Sequence, residues 1–567
     1  MSETNYIKNE VKSESGIHKK KYKNVKITEN INGKAIKIGE GGFGKVYKVF
    51  NCTDEKGSRD IIPFAQKQTY IFNRDGNLIG QNLKEVSIGY KYLNHENIQP
   101  FNYILIKEKQ YPVDSKYIIN MLLADMTFYD LINSNMSNND RIIFFFPILK
   151  QLLKGISYIH SNYICHGDIK PDNILIYGSD ISKFKNENYS EYLKSAIFKI
   201  SDYSGINMEY NSSMDKTSTL HYRSPELFMK IDDKFKKSIK EIHGPFNDIW
   251  SIGIMMLEYL TKSNIISKLY KKNNKIKEKE FLIRFFNCMK SIDISHILKN
   301  NGYDISNKSV KQICDILELM LIKKIQQRTN LYNLSIFINY HIEKYKDTYN
   351  YLSDCIPLYD NIIDYTTVIN KENINILFRK NSINELHKFI EDEYDDKEYK
   401  NYKQYLPLGI LLFDRIVNNG IFSHLNDDEN TLEIMYKKTL FECFYIASKY
   451  LLSNIDIFSI VDYLEIDIDY IHIDIIEILK LVEYDIYRPT ILTYLNMQND
   501  DVYHSQYIIK TAIDFFCNTE DINTNYEKSI EYINDIIDKE GKTEYVSEQD
   551  ISSYEDLSIP TLKRHSL

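Results

Sequence analysis

"HGDIKPDNILI", residues 166–176, places an aspartate two residues after a histidine, a lysine two further on and an asparagine three beyond that. Asp168 is suited to orient an attacking hydroxyl and to accept its proton. Lys170 can neutralise charge on a phosphoryl group in transfer, and Asn173 can ligate a divalent ion through its amide oxygen. A glycine, Gly167, separates the histidine from the aspartate.

Working outward, "KISDYSG" (199–205) supplies Asp202 as a second oxygen ligand for a metal. "YRSPE" follows with Glu226, "FNDIWSIG" with Asp248 and the only tryptophan, Trp250, and "QQRTN" with Arg328, a candidate buried partner for Glu226. Upstream, "IGEGGFGKV" runs Ile38, Gly39, Glu40, Gly41, Gly42, Phe43, Gly44, Lys45, Val46. Glycines at that spacing let a hairpin lie close over phosphates, with backbone N–H groups free to contact them. In "FAQK", Lys67 stands on a strand-like run at the separation expected of a phosphate-pairing lysine, and Glu85 in the helical "NLKEVSIG" can hold it by an ion pair. Alone, each of these has a plain reading: a glycine-rich turn, a solvated lysine, an exposed helix charge.

Together, in this order, the blocks resemble the eukaryotic protein kinases from about residue 32 to 345. The resemblance implies an α+β bilobal fold, ATP and Mg2+ as cofactors, and protein substrates bearing Ser or Thr. Asp168 and Lys170 would be catalytic, residues 38–46 with Lys67 and Glu85 ATP-binding, and Asn173 with Asp202 metal-binding. Glu226, Asp248 and Arg328 would be structural. In this family "DIKPDN" marks serine/threonine specificity, and Thr219 in "TLHYRSPE" matches the threonine that contacts the catalytic aspartate. "KEVSI" and "TLHYRSPE" look most like the cyclin-dependent and MAP kinase branch. There an arginine usually stands at the Gly167 position and, with two other basic residues, receives an activation-loop phosphate. The matching positions here are Lys84, Gly167 and Asn207, leaving one cation, and the phosphosite would fall near Met214, beside Ser212 and Ser213. The expectation is activity without activation-loop phosphorylation.

Two features argue the other way, for a catalytically weak or dead scaffold. Ser204 stands where the family's Asp-Phe-Gly has a glycine valued for backbone freedom. The segment between Glu85 and "NHENI" is slightly longer than usual, which predicts an imperfect Lys67–Glu85 pair.

A second, helical region carries "LPLGILLFDRIV", "KKTLFECFYIASKYLL" and "EILKLVEYDIYRPTILTYL". By periodicity it is an all-α bundle. "FDR", "IASKY" and "YDIYRPT" in that order resemble the cyclin box, a five-helix fold that binds kinases and transcription factors. Lys449 matches the cyclin lysine that contacts the kinase. The partner glutamate falls on Ile475, with Asp474 beside it and Glu477 beyond. The fold expectation is a bilobal kinase followed by an all-α cyclin-like domain: a tail over 1–31, kinase over 32–345, linker over 346–374, cyclin-like helices over 375–535 and a polar tail over 536–567. An intramolecular kinase–cyclin contact would regulate the enzyme in cis; a cyclin-type adaptor for a separate kinase is the other reading.

The net charge of −8 at 43% hydrophobic content argues against a general nucleic-acid binder. Seven scattered cysteines without a CxxC pair predict reduced thiols in an intracellular setting. The N-terminus has no apolar run of the signal-peptide kind. "IIFFFPIL", cut by a proline, is too short to span a bilayer. A soluble protein of cytoplasm or nucleus is expected, in a host cell if the source is a virus, with no membrane partner.

Overall fold

β-branched and aromatic side chains in "GKVYKV", "FAQKQTY" and "KYIINML" favour extended backbone, and those segments are strands. The fold is that of a computed structural model, which describes residues 36–41, 44–49, 63–91, 94–109, 111–162, 164–206, 219–229, 244–266, 293–322, 327–344, 374–393, 405–418, 422, 429–451, 455–482, 484 and 486. They fall into two compact units. One comprises the chain up to Lys91, Phe101–Met121 and the residues from Ile363 on; the other comprises Tyr92–Pro100 and Leu122–Ile362.

The first unit contains β1 (Ile36–Gly41), β2 (Gly44–Val49), β3 (Phe64–Tyr70), helix α1 (Gly80–Lys91), β4 (Tyr103–Lys107) and β5 (Lys116–Leu122). The sheet order is β1-β2-β3-β5-β4. Antiparallel registers such as Val46↔Lys67 and Ile104↔Ile119 fix which face each side chain takes.

The second unit adds β6 (Met126–Thr127), α2 (Phe128–Ile132), α3 (Asn138–Ser161), β7 (Ile174–Tyr177), α4 (Ile181–Lys185), α5 (Tyr189–Lys194), β8 (Ile197–Ile200), α6 (Pro225–Met229), α7 (Gly244–Thr261), α8 (Ile294–Asn300), α9 (Lys308–Met320) and α10 (Leu331–Lys344). β6, β7 and β8 form a small sheet beside α3, and Trp250 of α7 is fully buried. Helices α4 and α5 fill the β7–β8 connection. They are pinned by Asp125, whose Oδ2 accepts from the Gly178 amide at 2.7 Å and the Tyr192 hydroxyl at 2.9 Å.

Pro147 does not cut its apolar run. It lies inside the continuous 24-residue α3. A mid-helix proline costs about 3 kcal/mol, but Phe144, Phe145, Phe146, Ile148 and Leu149 are all buried around it. At about 1.5–3 kcal/mol for each buried large apolar side chain, packing outweighs the lost hydrogen bond. α3 is therefore long and apolar enough to cross a membrane, yet 72% of its apolar window is buried inside the protein. It is a core helix of this unit.

The chain then returns to the first unit with five helices among the described residues: α11 (Ile376–Glu393), α12 (Leu406–Asn418), α13 (Glu429–Tyr450), α14 (Ile457–Leu464) and α15 (Ile468–Leu481). α13 is buried continuously from Thr439 to Tyr450, which marks it as the central helix. α11 and α12 pack along it. They are tied together by a buried pair, Arg379 Nε and Nη2 donating to the two oxygens of Asp414 at 2.7 and 2.8 Å. α13 also packs against α1.

Candidate active site

In the first unit, Gly41 and Gly44 pair across the turn between β1 and β2, and Gly39 faces Val46. Gly42 and Phe43 lie outside the described residues. Ile38 is exposed on β1, and Glu40 sits between the ammonium groups of Lys37 and Lys45. Those two lysines hold the Glu40 carboxyl below its ordinary range, the hydrogen bond from Lys37 being the larger cause.

Lys67 on β3 meets Glu85 on α1 at 2.6 Å. Lys67 is 7% exposed and Glu85 1%. The pair is close and buried, not the imperfect one that the longer segment after Glu85 predicts. The turn from β3 to α1 is gripped by the C-terminal helices. Tyr445 Oη accepts from the Leu78 amide at 2.9 Å and donates to Asn77 Oδ1 at 3.1 Å. The same Asn77 oxygen accepts from the Ile457 amide at 3.0 Å, and its amide nitrogen donates to Asp456 at 2.9 Å. His472 Nε2 lies 2.7 Å from the Gly76 carbonyl, with its ring 4.4 Å from that of Phe72. Burial pushes the His472 pKa down, so the neutral ring carries its proton on Nε2 and donates it. Farther along α1, the Ile486 amide donates to Ser87 Oγ at 3.2 Å.

Lys449 stands one turn beyond Tyr445, its ammonium 5.5 Å from that ring. Burial lowers its pKa. Neither Tyr445 nor His472 was singled out in the sequence. The only signal was position: Tyr445 lies one turn before the lysine of "ASK", and His472 lies one turn before Ile475 and Ile476. Lys84 is 2% exposed, its ammonium 5.9 Å from the Tyr450 ring. Asn207, Ser212, Ser213 and Met214 lie outside the described residues.

In the second unit, both oxygens of the Asp168 carboxylate are held in place. Oδ1 accepts from the Thr219 amide at 2.7 Å and the Thr219 hydroxyl at 2.6 Å. Oδ2 takes the Lys170 ammonium at 2.5 Å, which also reaches Thr219 Oγ1 at 3.1 Å. Asn173 donates its amide hydrogens to Asp168, at 2.8 Å to the carbonyl, leaving its own oxygen as an acceptor. Hard oxygen donors, this amide and the carboxylate of Asp202, fit Mg2+. The backbone beneath is held by Asp248, whose oxygens accept the His166 and Gly167 amides, both at 2.9 Å, together with His160 Nε2 at 2.9 Å. Asp248 thus holds the loop that carries Asp168. Arg328 and Glu226 form a two-pronged pair at 2.7 and 2.9 Å.

Gly167 has φ +77°, a conformation that costs a residue with a Cβ roughly 1–2 kcal/mol. Both amides can then point at Asp248. Glycine at this position thereby avoids the backbone strain that a side chain would incur. Gly167→Ala is expected to lower stability by about 1 kcal/mol, read by denaturant unfolding; an unchanged midpoint would show that the loop relaxes elsewhere.

Ser204 does not carry the unusual backbone. The left-handed residue is Asp202, at φ +64°, and Ser204 lies in a single helical turn, Tyr203–Gly205. Close approach falls on Gly205, where a Cβ would come within 2.9 Å of Asp168 Cβ.

Residues 34–335 match the protein kinase domain family. Among similar proteins, cyclin-dependent kinase 11 of Dictyostelium discoideum is 27% identical over 41% of this chain and 56% of its own length. Mitogen-activated protein kinase mpk-1 of Caenorhabditis elegans is 27% identical over 40% of this chain and 44% of its own. Serine/threonine-protein kinase SRK2A of Physcomitrium patens is 26% identical over 39% and 52%. The chain spans about half the length of the curated relatives it matches. With more than half of its residues matched, and with the paired Lys67 and Glu85 and the bonded Asp168 in place, the chain belongs to the protein kinase family.

Proposed function

We propose that this protein is a serine/threonine protein kinase that transfers the γ-phosphoryl group of ATP to protein hydroxyls. The observation that carries the reading is Asp168, oriented by Thr219 and bridged to Lys170. Asp168 orients the substrate hydroxyl and takes its proton, and Lys170 offsets charge on the group in transfer. Lys67, held by Glu85, positions the nucleotide phosphates. Asn173 and Asp202 would hold Mg2+, which when bound neutralises charge on the phosphate oxygens. Serine/threonine specificity rests on "DIKPDN" and on relatives named for it. The test is autophosphorylation and generic-substrate phosphorylation with labelled ATP. Transfer by wild type and none by Asp168→Asn is expected; no transfer by wild type would favour a scaffold.

We further propose that the C-terminal helices, cyclin-like in the order of "FDR", "IASKY" and "YDIYRPT", regulate this kinase in cis rather than serving a separate catalytic subunit. The reading is supported by their grip on the turn leading into α1, the helix that carries Glu85. Asn77 makes three of these hydrogen bonds, each worth about 1 kcal/mol net. In the full-length protein, Asn77→Ala with Tyr445→Phe is expected to lower phosphoryl transfer more than tenfold and to speed hydrogen exchange in α1. An unchanged rate would mean that the two modules are only neighbours.

A further inference from the structure

Asp202, Tyr203 and Ser204 depart from the family's Asp-Phe-Gly by two hydroxyls, and both are in use. Asp202 is strained, because a residue with a Cβ at φ +64° persists only when its surroundings hold it. Tyr203 is fully buried, and its hydroxyl lies between two backbone acceptors, donating to the Gln99 carbonyl with the Ile200 carbonyl 3.1 Å away. Phenylalanine could make neither contact. Ser204, 3% exposed, donates its hydroxyl to Asp202 Oδ1 at 2.9 Å. Glycine has no such donor. On the N-terminal side, Ser201 is bolted to the catalytic loop: its amide and hydroxyl donate to the Asn173 carbonyl at 2.8 and 2.9 Å. His166 Nε2 donates to the Ser201 carbonyl at 3.0 Å. The residue before Asp202 is thus fixed to Asn173, and the two residues after it are tied down by hydroxyls.

We propose that Ser204 and Tyr203 are positioning residues for metal binding: Ser204 fixes the orientation of the Asp202 carboxylate, and Tyr203 locks the backbone that presents it. The inference rests on the kinase reading for its metal. Its physical basis is that a carboxylate ligand held by an outer hydrogen bond is already in its bound orientation, so less ordering is left to metal binding. Loss of such outer partners typically weakens metal affinity about 10- to 100-fold. The Ser204 hydroxyl bonds to Oδ1 alone and so fixes the rotation of the carboxylate. The substitution that looks like damage to the motif is therefore a compensation within it.

The experiment uses full-length protein with Mn2+ as a spectroscopic probe and a non-hydrolysable ATP analogue. Mn2+ affinity is read by electron paramagnetic resonance, metal-free nucleotide affinity by calorimetry, and melting temperature alongside. Ser204→Ala removes only the donor; Ser204→Gly restores the family residue; Tyr203→Phe removes the second tether. Ser204→Ala and Ser204→Gly are each expected to weaken Mn2+ binding about tenfold, with metal-free nucleotide affinity and melting temperature unchanged. The half-saturating Mg2+ for phosphorylation should rise in parallel, while the rate at saturating Mg2+ recovers. Tyr203→Phe is expected to weaken Mn2+ binding further when combined with either change. Wild-type Mn2+ affinity in Ser204→Ala would overturn the proposal, as would a parallel fall in metal-free nucleotide binding and melting temperature, which would make the role merely structural. A wild type that binds no Mn2+ would overturn it too. A wild type that binds Mn2+ with the nucleotide but transfers no phosphoryl group would sink the kinase reading alone, since the Mn2+ measurement still reads the role of Ser204.

Discussion

Asp202→Asn is expected to lower phosphoryl transfer by about 10³-fold, the scale set when one preorganised charge-stabilising group is lost, with little change in melting temperature. Asparagine keeps the shape of the side chain and an oxygen that can accept from Ser204, so the local fold has no reason to move. What disappears is the negative charge that makes a hard-cation ligand. Lys67→Met is expected to cost activity on the same scale, but not silently. Lys67 and Glu85 are both buried, and methionine removes the cation that faces the Glu85 carboxylate at 2.6 Å. Breaking a buried pair from one side costs about 3–5 kcal/mol, less whatever Glu85 regains by taking up a proton. The two variants should therefore separate: both inactive, only Lys67→Met clearly less stable. Steady-state phosphorylation and thermal unfolding of both decide it, and near-wild-type rates in the two variants would remove the proposed mechanism.

Glu226→Gln and Arg328→Leu are expected to cause the largest losses of stability, about 3–5 kcal/mol each, or roughly 10 °C in melting temperature. The Arg328 guanidinium has no contact with water to fall back on: its side chain is 0% exposed. It donates to both oxygens of Glu226, to the Ile322 carbonyl at 2.9 Å and to the Phe246 carbonyl at 3.0 Å, and lies 5.0 Å from the Trp250 ring. Removing the carboxylate charge leaves a buried cation with only neutral acceptors. Removing the cation leaves a buried carboxylate and two carbonyls without their donor. Replacing both partners by apolar residues of similar volume should recover much of the loss, because the desolvation of both charges is then avoided. Single variants within about 1 kcal/mol of wild type in urea unfolding would show that water reaches this pair.

Some of this protein is written along the chain, because its chemistry is local. Asp168, Lys170 and Asn173 lie within six residues of one another in sequence, so residue type and spacing alone mark them as candidates. The same holds for the glycine-bearing hairpin and for the strand that carries Lys67, where alternation and β-branched residues suffice. The helical character of the C-terminal half was likewise legible from its apolar period. Other features depend on which distant residues meet, and no local pattern encodes that. Tyr445 bonds Leu78 across 367 positions of sequence, His472 reaches Gly76 across 396, and Arg379 finds Asp414 on the next helix. Each of these side chains is an ordinary helix residue until packing brings a buried backbone amide, carbonyl or opposite charge against it. The serine of Asp-Tyr-Ser reads as a lost glycine in the sequence. Only the folded backbone shows the left-handed turn on Asp202, which leaves Ser204 free to serve as a donor. Pro147 makes the same point in reverse: a residue that locally ends a helix is carried through α3 because the side chains around it bury more free energy than the missing hydrogen bond costs.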